Sequence, residues 1–86
     1  MAAPLHDDAE RASRAFGKRM KELRAREGIS QDGLSDASGI HSTSVGRIER
    51  GGREPRLTTL LKLAHGLGVE PGELVNDLDQ KPPARR

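Results

Sequence analysis

Twenty residues in the middle of this chain, Gln31 to Arg50, leave little freedom in how it folds. They carry two amphipathic segments, Gln31 to Ser38 around Leu34 and about Ser42 to Arg50 around Val45 and Ile48. Only Gly39-Ile40-His41 lies between them. Helices this short are marginal in water unless neighbours cover their apolar faces. The other residues must therefore supply a small shared core, with the two segments joined by a tight turn.

The flanking residues fit that requirement. From Asp7 to Glu27, Ala9, Ala12, Phe16, Met20 and Leu23 recur at helical steps of three and four, with acidic residues for the first turn and Gly28 to end it. After the loop Gly51-Gly52-Arg53-Glu54-Pro55, a stripe of Leu57, Leu60, Leu61, Ala64 and Leu67 predicts a longer helix ended by Gly66 and Gly68, the main wall of the core. Glu70-Pro71 then starts a fifth, short helix in which Leu74, Val75 and Leu78 are expected to face inward. No alternation of β-branched or aromatic residues marks a strand. The reading is an all-α chain of five helices whose second and third form a helix-turn-helix. Residues 1–7 read as an N-terminal arm, 8–78 as the domain and 79–86 as a disordered basic tail.

Within the central stretch each position has a physical reason. Counting from Gln31, the fifth residue is Ser35, small where two helices cross closely, and the ninth is Gly39, where the chain must turn sharply. Leu34, Ile40, Val45 and Ile48 close the inner faces.

Composition removes whole classes of function. The 86 residues contain no Cys, which excludes disulfide frameworks, thiolate metal sites and cysteine nucleophiles. One Phe and no Trp or Tyr leave nothing on which to stack single-stranded bases. His6, His41 and His65 have no spacing that gathers a metal and read as surface residues, so neither a metal nor a cofactor is expected. A chain this small offers no evident oxyanion cradle or deep pocket, so no enzymatic activity is expected either. No apolar run is long enough for a membrane span, and the N-terminus lacks an export pattern, pointing to the cytoplasm. The net charge of +2 says little about a partner. Its distribution says more: from Ser42 to Arg56 there are four Arg against Glu49 and Glu54.

The chain resembles the phage-repressor-like, XRE-type helix-turn-helix domains, also called lambda repressor-like. The residues that carry the resemblance are Phe16-Gly17-Lys18-Arg19 through Leu23-Arg24, Gly28-Ile29-Ser30-Gln31 through Leu34, Arg47-Ile48-Glu49-Arg50-Gly51, Pro55, Leu60-Leu61-Lys62-Leu63-Ala64 and Leu67-Gly68-Val69. It runs from about Phe16 to Val75 and implies the compact five-helix fold of that family. It also implies a sequence-specific regulator of transcription, a repressor, bound to double-stranded DNA at the nucleoid as a homodimer on a two-fold symmetric operator. The third helix would lie in the major groove, with Ser42, Thr43 and Arg47 reading bases. Gln31, Ser44, Arg50, Arg53 and Arg56 would hold phosphates. Arg47 is the side chain on the outer face of that helix suited to fork onto guanine. An ion pair of Arg24 with Glu49 would orient the third helix. The alternative is an antitoxin or anti-regulator whose main ligand is a partner protein.

Several positions depart from the pattern. Gly33 and Gly46 stand inside helices, each costing roughly 1 kcal/mol against Ala, and Gly46 is expected either to admit a close neighbour or to be a tolerated surface glycine. His41 occupies a capping position for which Ser42 is the better residue type, so Ser42 is expected to cap the third helix. The fifth helix, Leu74, Leu78 and Leu5 are the candidate dimer contacts.

Overall fold

The computed structural model describes residues 5–78, with side chains from Ala9 onward. The tail expected from Asp79, the first four residues of the arm and the side chains of Leu5 and His6 lie outside the described residues. Five helices follow in order: α1 (Leu5–Glu27), α2 (Gln31–Ser38), α3 (Ser42–Glu49), α4 (Leu57–Leu67) and α5 (Pro71–Val75). Among the described residues there is no strand. The first helix begins two residues before Asp7, the start that the periodicity indicates.

Local chemistry sets the boundaries. The N–H of Ile29 reaches back to the carbonyl of Arg24 at 2.9 Å and closes α1. Ser30 caps α2 by accepting from the N–H of Gly33 at 2.9 Å. Gly39, at φ 76°, ends α2 and makes the sharp turn into α3; a β-carbon at that φ would be strained. Pro71 opens α5, where a missing N–H costs nothing.

The core is built from all five helices: Phe16, Met20 and Leu23, Leu34, Val45 and Ile48, Leu63, Ala64 and Leu67, and Leu74. Chiefly α4 packs on α2 and α1 on α3. Two sequence expectations change here. Ala12 is exposed and Ser13 takes the buried place beside Phe16. On α4 the inward stripe is Leu60, Leu63, Ala64 and Leu67, while Leu57 and Leu61 are 73% and 47% exposed.

The rotation of α4 follows from Gly66, which lies inside the helix instead of ending it. A Cβ there would stand 2.9 Å from Cβ of Ser38 and 3.0 Å from Cδ1 of Leu34. The face of α4 that can approach α2 is therefore the one carrying Gly66, and Leu63 shares it at one turn's spacing. Leu74, fully buried, belongs to this core and is unavailable as a contact to a second copy.

Candidate nucleic-acid interface

The register of α3 is set by Val45 and Ile48, both buried. Their burial turns Thr43, Arg47 and Arg50 outward, all three exposed, with Ser42 and Ser44 half-buried at the flanks. Gly46 is buried, so it is not a surface glycine.

The start of α3 is capped by His41, whose Nδ1 accepts from the N–H of Thr43 at 3.2 Å. This corrects the expectation that Ser42 caps the helix. The imidazole nitrogen stands as far from the backbone as an Asn or Asp side-chain oxygen and reaches the same second N–H of the helix. Ser42 is consequently the first residue of the helix, not its cap.

Arg24 and Glu49 are brought together. Nε and Nη2 of Arg24 donate to the two carboxylate oxygens of Glu49, the latter at 2.9 Å, and Nη1 donates to the carbonyl of Ile29 at 2.9 Å. The two side chains are 16% and 3% exposed. Gln31 joins them: its Nε2 donates to Oε1 of Glu49 at 3.0 Å. Burial works against ionisation of Glu49. The hydrogen bonds from Arg24 and Gln31, with the charges of Arg24 and Lys21, outweigh it and hold the carboxyl below its usual range. The same bonds hold Arg24 firmly protonated. One fork thus ties the end of α1 to the start of α2 and the end of α3, which orients α3 in the molecule.

With Glu49 neutralised in this way, Arg47, Arg50, Arg53 and Arg56 are exposed around α3 and the loop after it. Arg53 and Arg56 line a groove of about 270 Å³ with Ile40, His41, Ser44 and Thr59. Arg56 precedes α4 without a side-chain cap, leaving the first N–H groups of that helix at the groove unclaimed by a cap.

A family model described as helix-turn-helix matches residues 20–74. The chain belongs to the helix-turn-helix family. An HTH-type transcriptional regulator of Sinorhizobium fredii, y4dJ, is 36% identical over 66 residues, which are 77% of this chain and 86% of that one. The cryptic phage CTXphi transcriptional repressor RstR of Vibrio cholerae is 31% identical over 62 residues, 72% of this chain and 56% of its own. The crystal structure of the restriction-modification controller protein C.AhdI from Aeromonas hydrophila is 45% identical, with a TM-score of 0.70 over 72% of this chain and 94% of that one.

In this helix-turn-helix the two expected sets of residues occupy different places. Thr43 and Arg47 share the outward side of α3, with Ser42 at its first turn, whereas Ser44, Arg53 and Arg56 gather at the groove and Gln31 and Arg50 meet over Gly46. His41 and Gly46 are structural parts of this helix-turn-helix: His41 is the cap expected of Ser42, and Gly46 proves to be the position with close neighbours, not a surface glycine. The signal for His41 was its place just before the helix, outweighed there by the low rank of His as a cap. Arg19 and Arg26 have a further role that spacing does not show. They tie α1 to α5, through the carbonyl of Glu73 at 2.7 Å and its carboxylate at 2.9 Å.

Proposed function

We propose that this protein reads a specific sequence in the major groove with α3 and acts as a homodimer on a two-fold-related operator. As a helix-turn-helix protein related to transcriptional regulators and controller proteins, it is a DNA-binding transcriptional regulator. Those relatives do not favour the antitoxin reading. The observation that carries the finer proposal is the outward side of α3. Thr43 and Arg47 are exposed on a helix whose inner face is locked in the core, with arginines on the loop beside it.

The roles divide by chemistry. Arg47 presents a planar fork suited to guanine O6 and N7, and Thr43 a methyl or hydroxyl to a neighbouring base, with Ser42 at the edge. Gln31, Ser44, Arg50, Arg53 and Arg56 serve the phosphates, and the protein works at the nucleoid. Repression is the sign of regulation we infer, on the likeness to RstR.

One domain of this size makes few base contacts, and pairing two copies doubles them. The face suited to pairing is the α4–α5 edge, where Leu57, Leu61 and Val75 are the exposed large hydrophobic residues among those described. There Val75 lines an apolar groove with Leu60, Leu78, Ala12 and Phe16.

Selection from a random duplex pool at two salt concentrations tests this. The expected outcome is a two-fold motif with half-sites about 34 Å apart. Arg47→Ala should lose about 1–3 kcal/mol and relax the motif at one base pair, while Arg53→Ala should weaken every sequence alike and flatten the salt dependence. Recovery of nothing above a salt-sensitive background, or an unchanged motif with Arg47→Ala, would refute the assignment.

A further inference from the structure

Gly46 is buried in a helix whose neighbouring residues Thr43, Arg47 and Arg50 are exposed, and what covers it is a pair of side chains from the DNA-facing set. A Cβ on Gly46 would stand 3.2 Å from Nη1 of Arg50, 3.7 Å from Oε1 of Gln31 and 3.9 Å from its Nε2. Arg50 follows Gly46 by four residues, so its side chain folds back along the helix over the preceding turn. Gln31 arrives from the first position of α2. The two polar ends approach from two sides the one position of α3 that has no side chain.

We propose that Gly46 is a positioning residue, a seat that lets Arg50 and Gln31 act together on a single backbone phosphate. The proposal rests on the DNA-binding reading given above and deepens it from separate contacts to one clamp. A primary amide has two N–H donors. Glu49 takes one from Gln31 at 3.0 Å, which fixes the orientation of the amide and leaves the other to donate. Arg50 adds a guanidinium that is always charged. Each N–H···O bond to phosphate reaches about 2.9 Å, so groups flanking one Cβ-sized gap can address two oxygens of the same phosphate. A methyl at position 46 would press only on the guanidinium of Arg50, at 3.2 Å, and rest in ordinary contact with Gln31, whereas a side chain as large as Leu would fill the gap between them. Gly46 therefore acts through Gln31 and Arg50, without touching DNA itself.

The test is binding to a mixed-sequence duplex of about 30 base pairs across a salt series, with circular dichroism melting to verify folding. Gly46→Leu should weaken binding roughly tenfold, the order of one lost charge-assisted hydrogen bond, and Gly46→Ala should do so less, in the same direction. In a Gln31→Ala/Arg50→Ala background Gly46→Leu should cause no further loss. Should Gly46→Leu fail to fold, the cycle of Gln31→Ala and Arg50→Ala stands alone. A shared phosphate makes their double variant lose less than the two single losses combined. Additive losses, an unaffected Gly46→Leu, or an equal Gly46→Leu loss in the double-variant background would overturn the proposal. Wild-type protein that binds no duplex at any salt overturns the DNA-binding reading and this proposal with it, whereas wild-type binding with any of those three results overturns this proposal alone.

Discussion

Glu49 keeps a negative charge almost out of water because three donors face it, two from Arg24 and one from Gln31. Its carboxyl titrates below the ordinary value of about 4.3, so the folded state binds its proton later than the unfolded chain does on acidification. The stability it contributes is complete above the ordinary carboxylate range and disappears as pH falls through the lower folded value. Glu49→Gln should accordingly flatten the loss of melting temperature below about pH 4. It should also reduce stability at pH 7 by on the order of 2–3 kcal/mol, below the range for breaking a fully buried pair because Arg24 keeps some contact with solvent. An unchanged acid slope in the variant would show that the linkage lies elsewhere. The pairing of Arg24 with Glu49 was available from the resemblance. The bond from Gln31 was not, because it needs the starting residue of α2 and the last residue of α3 at a defined angle, and neither periodicity nor spacing encodes that angle.

At the level of elements, the crossing of α1 with α3 turns on Gly17. A Cβ there would stand 2.4 Å from the carbonyl oxygen of Ile48 and 2.6 Å from that of Glu49. Both are backbone atoms, so no side chain can swing away to relieve the contact. Gly17→Ala should therefore destabilise by about 1–3 kcal/mol, the range for overpacking, even though Ala favours a helix interior by roughly 1 kcal/mol over Gly. Urea unfolding measures the balance, and a stabilised variant would mean that α1 and α3 cross elsewhere. In the sequence Gly17 counted only as part of the resemblance. The contrast with α4 is instructive: with leucines at 57, 60, 61, 63 and 67, two overlapping stripes satisfy helical spacing, and periodicity cannot choose between them. The close approach of Gly66 to Ser38 chooses, by turning Leu63 inward and leaving Leu57 and Leu61 in solvent.

Across the whole molecule, a nearly neutral chain carries a local field. The net charge is +2, yet Glu49 is spent on Arg24, Glu73 accepts from Arg26, and the arginines at 47, 50, 53 and 56 stay exposed. Long-range attraction to DNA therefore comes from placement and will be screened by salt. Among the described residues the exposed large hydrophobics are Leu57, Leu61 and Val75, on the α4–α5 edge. For the homodimer proposed above, Leu61→Glu should give a monomer by sedimentation equilibrium, with weaker DNA binding and with melting of the monomer itself within about 0.5 kcal/mol, as expected for a residue so exposed. A variant that still dimerises would move the interface off this edge.

Helix number, order and the turn at Gly39 were legible in the sequence, because caps, glycines and apolar spacing are local properties that each segment expresses by itself. So was the inner face of α3, where Val45 and Ile48 leave one choice. The tertiary structure alone decided which of two stripes α4 buries, that His41 caps α3, that Val75, expected inside with Leu74, is left exposed, and that Gln31 and Arg50 both approach Gly46. Each of these depends on how closely two backbones approach, or on where a side chain from one helix ends against another. Such distances arise only when the helices pack.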